Sequence, residues 1–212
     1  MSLMNEPLYF GPALPAASMF EASDSSPWLE SLGEHLALFR TLHALEPAIV
    51  EAGAMLSTAL ERGGKLMLCG NGGSAADSQH LAAELTGRFA GDRRPLAALA
   101  LSSDTAALTC IGNDYGFDEI FARQLHALAR PGDVLVVLST SGESGNVIRA
   151  AEQARAMGVK VVGLLGRDGG ALRALCNVPI VVRHASTARI QEAHMLVGHT
   201  LCAMVEKALG LD

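Results

Sequence analysis

Residues Lys65–Glu84 read KLMLCGNGGSAADSQHLAAE, and the change of period inside them decides the fold. Leu66, Met67, Leu68 and Cys69 form an apolar run with no polar break, too short to be a helix in its own right. A short run that is apolar on both faces reads as a strand of a parallel sheet, buried on both sides. Gly70, Gly72 and Gly73 then turn the chain, and a helical segment follows over about 75–89. The alternation repeats downstream. LAALAL at 96–101 is followed by helical segments to about 129, VLVVLS at 134–139 by a helix through 157, and KVVGLLG at 160–166 by a short helix. Last comes VPIVVR at 178–183, with a long helix over about 188–209. Five such strands separated by helices predict an α/β fold with a parallel sheet covered on both faces. Sheets of this kind bind ligands beyond the carboxyl ends of their strands.

Upstream of residue 65 the period is helical. Ser26-Pro27 pairs a capping hydroxyl with a proline at the first helical position, and Leu29, Leu32, Leu36 and Phe39 recur at helical spacing. A second helix runs from near Pro47 through Ile49, Ala52, Leu56 and Leu60 to Gly63-Gly64. No strand separates the two, so they form an N-terminal helical hairpin whose apolar stripes need a partner, and a second subunit is the expected one. Residues 1–25 are rich in Pro, Ala and Ser without a period, which predicts an extended or mobile arm ahead of one domain over 26–212.

Composition narrows the function. The chain has 212 residues, half of them apolar and 18% charged, enough for one sizeable core. A net charge of −6 with no Lys/Arg run argues against direct nucleic-acid binding, which needs clustered cations. No apolar stretch reaches the roughly 20 residues that span a bilayer, and the start, MSLMNEPLYFGPALPAASMF, lacks the basic region of a signal peptide. Cys69, Cys110, Cys176 and Cys202 have no metal-type spacing, and an apolar run around Cys69 and a helix around Cys202 suit buried, reduced thiols. A cytoplasmic protein is expected.

The loops after the first and third strands carry the chemistry. The third strand leads into Ser139-Thr140-Ser141-Gly142-Glu143-Ser144-Gly145-Asn146 and then a helix. Hydroxyls and unpaired N–H groups at a helix amino end suit an anion, and glycine lets the backbone come close. No P-loop lysine follows, and Gly70, Gly72 and Ala75 do not complete a dinucleotide fingerprint, so a small phosphorylated metabolite fits better than a nucleotide. Either loop alone is equally well an ordinary cap or turn; both at strand ends of one sheet are less easily so.

His80 and Glu84 lie four residues apart, on one helical face. The last helix, ARIQEAHMLVGHTLCAMVEK, carries Gln191, Glu192, His194 and His199 among apolar residues. At about 100° per residue Gln191 and His199 are separated by about 80°, and so share a side, as do Gln191 and His194. Each histidine taken singly fits a satisfied core position as well as a site.

Together GNGGSAADSQHLAAELTGRF, IGNDYGFDEIF, STSGESGNV and ARIQEAHMLVGH, in this order, resemble the phosphoheptose isomerases of the sugar-isomerase (SIS) domain superfamily, over roughly residues 27–210. The resemblance implies a doubly wound, flavodoxin-like five-stranded parallel sheet, usually in a homotetramer with shared active sites. Phosphate-loop residues of the family match Ser139, Thr140, Ser141 and Ser144. Sugar contacts match Asn71, Gly72, Gly73, Asn113 and Asp114, and Ser74 belongs to the same motif. Zinc, where family members bind it, sits at positions matching His80, Glu84, Gln191 and His199, with Gln191 and Glu84 also facing substrate. Glu84 and His199 match the proposed base and acid. Ala188 stands where some members have an acidic residue, and Glu143 where many have Asn.

The implied reaction converts sedoheptulose 7-phosphate to D-glycero-D-manno-heptose 7-phosphate through a cis-enediol, for heptose biosynthesis. A neutral Gln among the ligands predicts modest zinc affinity and loss of the ion on purification. Two competing readings come from the same superfamily. One is a non-catalytic SIS protein that binds the replication initiator DnaA; that relative, the resemblance suggests, lacks equivalents of Glu84 and His199, and both are present here. The other is an isomerase of a different sugar phosphate.

Overall fold

The computed structural model of the chain describes residues 26–211, so the expected arm over 1–25 lies outside the described residues. Among those described, eight α-helices and five strands alternate as the periodicity requires: α1 (Pro27–Phe39), α2 (Glu46–Glu61), β1 (Leu66–Cys69), α3 (Gly73–Thr86), β2 (Ala98–Ala100), α4 (Thr105–Tyr115), α5 (Ala122–Leu128), β3 (Val134–Ser139), α6 (Gly145–Ala156), β4 (Lys160–Gly166), α7 (Leu172–Leu175), β5 (Val178–Val182) and α8 (Thr187–Ala208). All strand pairings are parallel, in the order β2-β1-β3-β4-β5. That order is doubly wound, and its direction reverses between β1 and β3, which opens a crevice between the ends of those two strands.

The parity of each strand explains why both faces are apolar. Leu66 and Leu68 of β1, Val134 and Val136 of β3, and Val162 and Leu164 of β4 face a core completed by α2, α3 and α8. Their neighbours Met67, Cys69, Leu135, Val137, Val161 and Leu165 face the opposite core with α6 and α7. Every residue of β3 is buried, and each apolar one contributes roughly 1.5–3 kcal/mol relative to exposure. The amino ends of β1 and β3 are tied by one carboxylate. Buried Asp133 accepts from the Lys65 backbone N–H at 2.9 Å, from Lys65 Nζ at 2.5 Å and from the Arg130 N–H at 2.7 Å.

Contacts divide the chain after Ala37, and the body begins at Leu38. In the earlier segment α1 starts where Ser26-Pro27 predicts, with the Ser26 carbonyl accepting from the Glu30 N–H, and Trp28 and Leu29 are exposed. In the body, α2 differs from expectation. It buries Ala52, Leu56, Ala59 and Leu60 in this protomer's own core, against the sheet and α8, because parallel strands leave a face that a helix must cover. Cys69 and Cys202 are buried as expected, while Cys110 is exposed because α4 buries no residue fully.

Candidate active site

Helix α3 begins at Gly73, two residues earlier than the periodicity suggests, and stops at Thr86 instead of 89. It leaves β1 at the crevice and packs against α8, which returns past the same side of the sheet. The helices come close because Gly198 faces Leu81: a Cβ there would lie 2.6 Å from the Leu81 methyls.

This approach joins residues 119 positions apart. His80 Nε2 and His199 Nε2 are 2.9 Å from each other, and His80 Nε2 is 3.3 Å from Glu84 Oε1. One donor atom from each of His80, Glu84 and His199 lies within 4.8 Å of the other two. Both rings cannot donate to each other through Nε2, so one presents N–H and the other a lone pair. His80 is exposed, whereas Glu84 and His199 are half-buried, so the cluster is open to a solute. Phe89 packs beside the His199 ring, with centroids 5.6 Å apart. Asp77, one turn before His80, has a buried Oδ2 without a hydrogen-bond partner; burial pushes its carboxyl upward, partly opposed by His80. Behind the cluster the Cys202 thiol is pushed up to about 12, first by burial and then by Glu84 and Glu206, and stays protonated.

Gln191 lies on α8 with its side-chain amide against Gly73, in the space a Cβ at that position would fill. It therefore faces the loop after β1. That loop is coupled to the one after β3 by a reciprocal amide pair, Asn71 Nδ2 to Asn146 Oδ1 and Asn146 Nδ2 to Asn71 Oδ1, each 2.8 Å. Asn146 bridges the crevice, and only its place in the loop after β3 hinted at it.

The 139–146 loop is folded on its own hydroxyls. Ser139 Oγ accepts from the Gly142 N–H at 3.0 Å and lies 3.5 Å from Ser144 Oγ, and Ser141 Oγ accepts from the Glu143 N–H at 3.2 Å. Ser144 begins α6 without giving its hydroxyl to the helix, which leaves α6 with amide donors pointing out of its amino end. Glu143 is engaged with the neighbouring turn: its Oε1 accepts from the Ala171 N–H at 2.9 Å, binding the turn after β4.

Other expected residues stand apart. Ser74 is buried behind Gly70. Asn113 and Asp114 are exposed at the end of α4, where Asn113 Nδ2 donates to Asp114 Oδ1 at 2.7 Å. No hydrogen bond among the described residues ties them to the His80–Glu84–His199 cluster. His194, on α8 between Gln191 and His199, is fully buried, with the Leu165 backbone near its ring but no well-formed hydrogen bond to either nitrogen. Burial pulls its pKa down to about 4, partly offset by the Leu165 backbone, so it is a neutral core imidazole.

The SIS domain family model matches residues 32–166. A phosphoheptose isomerase from Nitratiruptor sp. is 53% identical over 180 residues, which cover 84% of this chain and 96% of that one. One from Rhodospirillum rubrum is 56% identical over 163 residues, 77% of this chain and 87% of its own. The structure of the phosphoheptose isomerase from Neisseria gonorrhoeae superposes with a TM-score of 0.81 at 44% identity, covering 85% of this chain and 97% of that one.

Proposed function

This chain belongs to the SIS domain family, and from that premise we propose the chemistry of its site. It is an aldose–ketose isomerase of phosphoheptoses, like the relatives it matches along most of its length. The substrate we assign is sedoheptulose 7-phosphate, the product D-glycero-D-manno-heptose 7-phosphate, and the pathway heptose biosynthesis. One observation carries the assignment of roles: a carboxylate and two imidazoles, brought from α3 and α8, converge within 4.8 Å of one another.

The Glu84 carboxylate takes a proton from one of C1 and C2 and returns it to the other, through a cis-enediol. His199 moves the proton on the sugar oxygens, for which an imidazole with Nε2 turned toward the cluster is suited. The donor set suits zinc, with two nitrogens and one carboxylate oxygen converging; Gln191, the fourth residue of the implied set, has its amide against Gly73. Bound there, zinc supplies Lewis-acid polarisation of the sugar carbonyl. Gln191, Asn71, Gly72 and Gly73 orient the sugar, and the Ser139–Ser144 hydroxyls with the α6 amides receive the phosphate.

The homotetramer we assign needs an apolar contact surface, and the α2–α8 side offers one: Ile49, Val50, Leu196 and Met204 line a groove of about 400 Å³, with Val50 and Leu196 about half exposed. We assign a cytoplasmic location, in keeping with a sugar-phosphate substrate. No helix among the described residues is long and apolar enough to cross a membrane.

Incubating the purified chain with sedoheptulose 7-phosphate, with and without added zinc, and following the aldose by NMR tests this function. Steady conversion is expected. Absence of conversion under both conditions overturns it, and a hexose or pentose phosphate turning over faster reassigns the substrate.

A further inference from the structure

Helix α3 ends at Thr86, and its last carbonyls would have no partner inside the helix. Arg93 supplies one. Nη2 donates to the Glu84 carbonyl at 2.8 Å, and Nη1 donates to the carbonyls of Leu85 at 2.9 Å and Gly87 at 3.1 Å. Its Nε donates to Glu206 Oε1 at 2.5 Å, and both side chains are 1% exposed. Glu206 also accepts from the backbone N–H groups of Phe89 at 3.1 Å and Ala90 at 3.3 Å. It lies on α8 seven residues beyond His199, hence about two turns along the same face.

The connections form a closed circuit. Arg93 closes the end of the helix that carries His80 and Glu84. Glu206 holds Arg93 and the loop from the helix that carries His199. Phe89, fixed by its own N–H on Glu206, sets its ring beside His199 at an interplanar angle of 31°. A buried ion pair adds little stability over an apolar pair of similar volume, so what distinguishes this one is the geometry it imposes.

We propose that Phe89, Arg93 and Glu206 are positioning residues for the isomerisation, a clamp that sets the separation of α3 and α8 and the orientation of the His199 ring. The proposal rests on the reading of His199 as the acid. None of the three touches the reacting carbons; each acts through His199 or through the helix bearing Glu84.

Glu206→Gln leaves the Arg93 charge buried and unpaired, and Arg93→Lys keeps the charge but loses the fork of donors that reaches Glu206 and the end of α3, so both variants can fail by unfolding. Phe89→Leu leaves the ion pair intact and is the decisive variant, with Phe89→Tyr as the conservative control. Each is compared with the wild type in turnover of sedoheptulose 7-phosphate and in the ring-nitrogen resonances of ¹⁵N-labelled histidine. Phe89→Leu is expected to lower kcat by about tenfold with KM within about twofold, since small misplacements of a reacting group cost that much or more. The His199 resonances shift with it, and Phe89→Tyr restores both. A Phe89→Leu protein with wild-type kcat, or with lowered kcat and unmoved His199 resonances, overturns the clamp. Should the wild type itself fail to turn over, the isomerase reading falls, and the His199 resonances alone decide the clamp.

Discussion

The two parts of the candidate site are built by opposite means. Around the 139–146 loop, eight consecutive residues supply hydroxyls and amides, and the loop holds its shape by hydrogen bonds among its own members. In the other part, a carboxylate and two imidazoles come from helices 119 residues apart and depend on how α3 meets α8. A loop of contiguous residues keeps its amides close together when one side chain is lost, even though the Ser139 and Ser141 hydroxyls help to shape it. A site made from converging side chains has no such reserve. On the proposed roles the reacting cluster is therefore the fragile part, and it is the part that Gly198 and the Arg93–Glu206 pair hold together.

Substitutions can break or sharpen this contrast. Glu84→Gln keeps shape and removes the charge; kcat should fall by about 10²–10⁴-fold, the range for a positioned base, with the thermal midpoint near that of the wild type. Retained kcat would mean that the cluster is not where the proton moves. His194 gives the next effect, in stability and not in rate. Its pKa is lowered from 6.5 to about 4, so the unfolded chain binds a proton that the folded chain refuses. Stability is thus full above pH 6.5 and lost as pH falls toward 4, on the order of 3 kcal/mol for this one group. His194→Leu should flatten that acid limb in urea titrations run across the interval, and an unchanged slope would exclude His194 as its source.

Next comes Asn146. Asn146→Ala leaves a buried amide pair half made, at a cost of about 1–3 kcal/mol, and should raise KM more than it lowers kcat. The reverse pattern would mean that the coupling of the loops serves the chemistry instead of the grip. Smallest of all, Glu143→Gln keeps an acceptor for the Ala171 N–H and should change KM for the phosphosugar by less than about twofold, as the salt-screened field of an outward carboxylate predicts. A large drop in KM would show that the charge does reach the phosphate.

The same contrast explains what could be read before any coordinates. All five strands fall where the apolar runs place them, since burial on both faces leaves a continuous signal. The 139–146 loop was legible because its parts are contiguous. His80 and Glu84 were legible as a helical pair, yet their meeting with His199 depends on the packing of α3 on α8, which no local period encodes. Arg93 and Glu206, 113 residues apart, left no local trace and appear in the sequence as two ordinary charges. Phe89 falls within the helical period of the sequence, yet it lies in the loop that Arg93 ties down, because α3 stops at Thr86.

Asp133 has its own consequence for movement. By gathering the first residue before β1 and the turn before β3 onto one buried carboxylate, it acts as a rivet at the foot of the two strands that flank the crevice. Strands pinned at their base and laddered along their length cannot spread like jaws. Any closing around a sugar belongs to the loops at their tips, over a floor that keeps a constant gauge from one turnover to the next.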